Sequence, residues 1–163
     1  MAIVSLEEFK VQLSQTSRLL GLDIGTKTIG VACGSVMGGF ASPLQVMRRT
    51  KITKDAEILA RHMKDYECDG LVVGWPLNVD GTEGTRCQAT RDVMLEIMKH
   101  IPPIPVTFYD ERFSTKKSED FLIKSVDMSR KRRGEIVDKM AAQVILQDFM
   151  DTIRASSSHT ARD

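Results

Sequence analysis

Residues 18–35 read RLLGLDIGTKTIGVACGS: two apolar runs, 18–24 and 28–35, separated only by Gly25–Lys27. A connection this short joins antiparallel strands, because parallel strands need a crossover of a dozen or more residues. Gly38–Gly39 marks a second turn, and Phe40–Met47 reads as a third strand whose Pro43 hints at a sheet edge. Beyond residue 50 the pattern changes. Ile58, Leu59 and Met63 recur at helical spacing within 53–66. GLVVGWP at 70–76 is a continuous apolar run, the signature of a strand buried on both faces. A helix over 84–100 places Val93, Ile97 and Ile101 on one face, and PPIP at 102–105 ends it. Val106–Tyr109 is a fifth strand, followed by helices over 114–123 and 135–153. A short helix over 5–15 precedes them all, with Ser5 and Glu8 at capping-box spacing. Hairpins make the first three strands antiparallel, and helical crossovers bring the fourth and fifth parallel to the first. The expected fold class is α/β: one mixed five-stranded sheet covered by helices on both faces.

A chain of 163 residues suggests one domain. Its expected parts are an N-terminal extension with a short helix (1–17), the sheet domain (18–153) and a disordered tail (154–163) that contains SSSHTARD. No apolar run approaches the roughly 20 residues of a membrane helix. Glu7, Glu8 and Lys10 stand where a signal peptide would be apolar, so the expected location is cytoplasmic. Cys33, Cys68 and Cys87 have no zinc-site spacing and suggest no disulfide framework, so they read as packing residues. His62, His100 and His159 share no metal-site spacing and read as surface residues. A net charge of +1 excludes bulk attraction to polyanions, but RKRR at 130–133, KK at 116–117 and RR at 48–49 are local basic blocks. Each is either a solvated loop or a contact to a nucleic-acid backbone.

The acids are the chemically informative residues. Asp23 interrupts an otherwise apolar strand, where an unpaired carboxylate costs several kcal/mol to bury (about 2–7 for a polar group, more for a charge). Asp110 and Glu111 end the fifth strand, and parallel strands bring such ends to one edge of the sheet. In the last helix Lys139, Gln143 and Gln147 recur at i, i+4, i+8 and are expected to form a solvent-facing stripe. At about 100° per residue Asp138 lies roughly 140° from the centre of that stripe, on the buried face with Ala141 and Ala142. Each acid alone fits an ordinary role as a cap, a strand end or an ion-pair partner. Gathered at one edge they would repel unless a cation neutralised them. Oxygen ligands without His or Cys suit Mg²⁺ or Mn²⁺. Two such ions about 3.5–4 Å apart can clamp a phosphodiester during in-line displacement.

Four blocks, GLDIGTKTIGVACGS, LVVGWPLNVDGTEG, YDERFST and GEIVDKMAAQVIL, occur in an order that resembles the YqgF/RuvX family of RNase H-like proteins. The resemblance spans roughly residues 18–150. It implies a metal-dependent nuclease, a hydrolase of phosphodiesters linked to processing of the 16S ribosomal RNA precursor. The family was first named for a role at four-way DNA junctions. The acidic positions of the family correspond here to Asp23, Glu111 and Asp138, with Asp110 able to share or replace the role of Glu111. On this reading the ion compensates the burial of Asp23, Gly25 and Thr26 let the turn approach a substrate backbone, and Lys27 contacts phosphate. Trp75 departs from the aliphatic residue more usual there.

Further candidate contacts are Asn78 and Thr82 in the polar loop after the fourth strand, Arg112 after the acidic pair, and Arg130, Lys131, Arg132 and Arg133 in the basic block. Each has a bland counterpart: Asn78 as a turn residue, Arg112 in a salt bridge with Asp110 or Glu111, the block as a solvated loop. The expected partner is nucleic acid, RNA ahead of DNA, with the ribosomal small-subunit precursor as the implied target. The expected oligomeric state is a monomer or a homodimer. Two other functions compete. DIGTKTIG is similar to the first phosphate loop of actin-like ATPases, but those need a duplicated domain for which 163 residues leave no room. A non-catalytic RNA-binding module for ribosome assembly would not need Asp23, Glu111 and Asp138.

Overall fold

Leu20, Leu22 and Ile24 alternate with Leu19 and Gly21 along Arg18–Ile24 (β1), and both sets are buried. A strand that is apolar on both faces must lie inside a sheet with cover on each side. In the computed structural model, which describes residues 3–78, 80–110 and 140–153, β1 is the central strand. Thr28–Ser35 (β2) pairs with it antiparallel, and Ala41–Arg48 (β3) pairs antiparallel with β2. On the other side Gly70–Trp75 (β4) and Val106–Asp110 (β5) run parallel to β1, giving the order β3-β2-β1-β4-β5. This is the mixed five-stranded sheet expected from the sequence. β3 is an edge, and its Pro43 sits opposite Ala32 beside a register irregularity, where a missing N–H costs no central ladder bond. Every residue of β4 is buried.

Two apolar layers flank the sheet. Leu20, Leu22, Leu71 and Val73 pack with Ala56, Leu59 and Met63 of Ile52–Asp65 (α2), and with Met94, Ile97 and Met98 of Thr85–Met98 (α3). Leu19, Ala32 and Val72 pack on the opposite face with Ala142, Ile145, Leu146 and Phe149, from the helix over 140–153 (α4). Leu6–Gln12 (α1) adds Phe9, fully buried edge-on against Phe149. Ser5 caps α1 by accepting from the Glu8 amide at 3.2 Å, as its spacing predicts. The N-terminal segment is thus part of the core, and Val4 N–H donates to the Val106 carbonyl at 2.8 Å along the outer side of β5.

The solvent-facing stripe expected on the last helix is corrected. Gln147 Oε1 accepts from the Ala41 amide at 2.9 Å, its Nε2 donates to the Gly39 carbonyl at 2.8 Å, and Gln143 Nε2 donates to the Ala41 carbonyl at 3.1 Å. Both amides are half-buried and satisfy backbone groups where the β2–β3 turn enters β3. A helix face made of amides can be polar and still be packed, because it supplies the hydrogen bonds that a sheet edge lacks. Lys139, the third member of the stripe, lies outside the described residues, as do the helix expected at 114–123 and the tail.

Cys87 is buried, and Cys33 and Cys68 are half-buried against the α2/α3 layer, consistent with packing roles. His62 is more than a surface residue: its Nε2 lies 2.9 Å from Gln45 Oε1 and joins α2 to the edge strand. Cys33 and Cys68 also line one cavity of about 250 Å³ beside Arg18 and Tyr66. Burial, then the neighbouring Cys33 and Asp69, pushes the Cys68 thiol up to about 12. A folded state that raises an acid's pKa binds more protons than the unfolded chain. Its stability therefore falls as pH rises from the ordinary thiol value, about 8.5, toward the folded value. Melting temperature is expected to drop between pH 8 and 10.5, and Cys68→Ala to drop less over the same interval. Parallel curves for the two proteins would contradict this assignment.

Candidate nucleic-acid cleavage site

Asp23 is the penultimate residue of β1. Leu19 packs in the α4 layer and Gly21 lies directly beneath α4, so alternation puts Asp23 on the α4 face too. It is half-buried. Its cross-strand partner in β2 is Gly30. The last pair between β1 and β4 is Leu22 with Val73. On this face Asp23 pairs with Gly30, and one step beyond the last β1–β4 pair Gly74 pairs with Tyr109 of β5. The glycine opposite Asp23 in β2 adds no side chain of its own beside the carboxylate. That leaves room a bound cation or a substrate backbone can use.

The turn that follows is braced from a distance. Gly25 N–H donates to the Thr28 carbonyl at 2.8 Å. Arg49, just past β3, donates through its Nη1 to the Gly25 carbonyl at 2.9 Å, and its amide donates to the Lys27 carbonyl at 2.9 Å. Lys27 and Thr26 are exposed at its tip. In the sequence Arg48–Arg49 is only a basic pair; no spacing rule connects residue 49 to a turn more than twenty residues earlier.

Tyr109 is the partner of Gly74 in β5. Its hydroxyl donates to Asp148 Oδ2 of α4 at 2.6 Å, and its ring meets Phe149 edge-on at 5.9 Å. Burial first, then this bond and the nearby carboxylates, raises its phenol above the usual range. The neutral Tyr109 thus works as a donor that ties α4 to β5. Neither Tyr109 nor Asp148 was singled out from the sequence, where each reads as ordinary strand and helix content.

Asp110 reaches the same edge of the sheet but not the same face. Phe108 packs in the α2/α3 layer, so Asp110, two residues on, is on that side, and in register it pairs with Trp75. The structure brings Asp23 and Asp110 to one edge and separates them by the thickness of the sheet. The loop after β4 is closed by its own side chains: Asn78 Nδ2 donates to Thr82 Oγ1 at 3.0 Å, and Thr82 Oγ1 donates to Asp80 Oδ1 at 2.6 Å. Here the turn role of Asn78 and Thr82 is visible. Glu111, Arg112, Arg130, Lys131, Arg132, Arg133 and Asp138 lie outside the described residues. Among the described residues, no three His, Cys, Asp or Glu side chains are grouped closely enough to hold a metal ion. No helix among them is long and apolar enough to cross a membrane.

The family model for RuvX, described as a Holliday junction resolvase, matches residues 17–152. The chain belongs to the RuvX family. A relative from Paracoccus denitrificans is 46% identical over 154 residues, covering 94% of this chain and 96% of its own length. One from Caulobacter vibrioides is 45% identical, covering 94% and 99%. Both carry the provisional name pre-16S rRNA nuclease. Among solved structures, Thermus thermophilus RuvC is similar at 12% identity and a TM-score of 0.48, over 78% of this chain and 92% of that one. The fowlpox virus Holliday junction resolvase is similar at 12% identity and a TM-score of 0.47, over 83% and 99%. RuvX membership agrees with the resemblance found in the sequence, and the class it names is a phosphodiester-cleaving hydrolase. The first RuvX block is β1, its turn and β2; the second is β4 and its loop; the third starts at the end of β5; the fourth runs into α4. The strand ends of the first three meet at the edge that carries Asp23.

Proposed function

We propose that this RuvX-family chain is a cytoplasmic, metal-dependent nuclease acting on the 16S ribosomal RNA precursor. The observation that carries the reading is Asp23: a carboxylate near the end of the central strand, at the edge of the sheet, with Gly30 opposite it in β2. Asp23, Glu111 and Asp138 would hold Mg²⁺ or Mn²⁺, the hard cations that an all-carboxylate set selects. When bound, such ions supply stabilisation of the charge that develops on phosphate and leaving group during in-line displacement.

The described residues support Glu111 over Asp110 as the partner of Asp23. Asp110 is on the α2/α3 face, the opposite side of the sheet from Asp23. Asp138 stands four residues before Ala142 in the sequence, and Ala142 lies over Gly21 on the face of Asp23. Lys27, exposed on the braced turn, is positioned to meet a substrate phosphate, and Arg112 and the 130–133 block add cationic contacts. Asn78 and Thr82, already bonded to each other, contribute by shaping the loop that a substrate would pass.

The test incubates purified protein with Mg²⁺ or Mn²⁺ and three substrates: precursor 16S rRNA, single-stranded RNA and a four-way DNA junction. Cleavage of the ribosomal precursor that EDTA stops is the expected result. Preferential cleavage of the DNA junction would transfer the reading to a resolvase, and binding without cleavage to an assembly module. Glu111→Gln is expected to reduce the rate far more than Asp110→Asn; the opposite order would make Asp110 the ligand.

A further inference from the structure

Arg91 is the one arginine of the chain whose guanidinium the structure sets on an aromatic face among the described residues. Its Cζ lies 5.2 Å from the centroid of the Trp75 ring. Trp75 is the last residue of β4, 8% exposed, and its ring is tilted 36° against Phe108 with centroids 4.4 Å apart. The platform is therefore rigid. It also stands at the edge used by the proposed site, because Trp75 pairs in register with Asp110 and lies one residue beyond Gly74, itself one step past the last β1–β4 pair. Arg91 itself is half-exposed. Among the described residues its guanidinium makes no hydrogen bond and no ion pair. A guanidinium carries five N–H donors in a planar fork that matches phosphate oxygens. Here the fork is held over the ring while, among the described residues, its donors stay unspent. A purely structural arginine would be expected to spend at least some of them on carbonyls or carboxylates nearby.

We propose that Arg91, held on Trp75, is a phosphate-binding residue for the nucleic-acid backbone on the α2/α3 side of the cleavage edge. This rests on the nuclease reading for its substrate class, but not for its test, which measures binding without cleavage. Stacking orients the fork before the substrate arrives, so less side-chain freedom is lost on binding. Trp75 supplies the aromatic face that holds the guanidinium, which an aliphatic side chain would lack.

Trp75 is the only tryptophan in the sequence, so its emission reports on this position directly. A single-stranded RNA oligonucleotide of ribosomal-precursor sequence is titrated in EDTA into the parent, Arg91→Gln and Arg91→Lys, following Trp75 fluorescence and fluorescence anisotropy of labelled RNA. RNA is expected to change Trp75 emission in the parent. Arg91→Gln should weaken binding about tenfold or more and lower the salt slope by about 0.7, the single-strand value for one phosphate contact. Arg91→Lys should keep the slope and recover only part of the affinity. An unchanged slope and affinity in a folded Arg91→Gln protein would overturn the proposal and leave Arg91 as a staple between α3 and β4. Should Arg91→Gln fail to fold, an unresponsive Trp75 in the parent at saturating RNA would overturn it in the same way. A parent that binds RNA through Arg91 but never cleaves with metal would remove the nuclease reading alone.

Discussion

Asp23→Asn is expected to reduce metal-dependent cleavage by more than about 100-fold, since changes to residues that merely support a metal ligand already cost 10–100-fold. The substitution keeps shape and removes charge. Asp23 is half-buried, its cross-strand partner in β2 is a glycine, and asparagine has nearly the same volume. Circular dichroism and melting temperature in EDTA should stay close to those of the parent. The stabilisation that Mg²⁺ or Mn²⁺ gives the parent by mass action should shrink in the variant. Two measurements check this: cleavage rates across a metal titration, and melting curves with and without Mn²⁺. A well-folded Asp23→Asn protein that cleaves at the parental rate would sink the assignment of Asp23 as a ligand.

Gly21→Ala is expected to cost about 1–3 kcal/mol, the usual range for overpacking a tight contact. A Cβ at residue 21 would lie 2.7 Å from Leu146 Cβ and 3.0 Å from the Ala142 carbonyl oxygen. Both atoms are fixed to the backbone of α4, so no rotamer change relieves the clash and the helix must move off the central strand. At roughly 2–4 °C per kcal/mol for a chain of this size, the melting temperature should fall by several degrees. Activity should fall further than stability explains. α4 packs on the face of Asp23, and a displacement near 1 Å of a catalytic group can cost about 100-fold. Rates measured well below the melting temperature separate the two effects. A parental melting temperature in Gly21→Ala would show that α4 can slide without loss.

Much of this was legible in the sequence because it depends on local rules. The three-residue turn forced β1 and β2 to be antiparallel, and the bounds 18–24 and 28–35 agree with the observed strands. Continuous burial of β4 followed from an uninterrupted apolar run, and the oddity of Asp23 from a charge placed within one. The face of each strand residue was also implicit, through the period of two. What the sequence could not supply was the meeting of distant residues. The stripe of Gln143 and Gln147 looked solvent-facing because amides are polar. Only packing shows that a turn entering an edge strand consumes them, since hydrogen-bond demand belongs to the partner and not to the helix. Arg49 on the Gly25 turn, Tyr109 on Asp148 and Arg91 on Trp75 join elements far apart in the chain. No periodicity encodes such pairs. The sequence alone determined which strands form and where a carboxylate interrupts them. The tertiary structure decided that Asp23 and Asp110, equal as strand-end acids in the sequence, face opposite sides of the sheet, because strand order and register fix which faces meet.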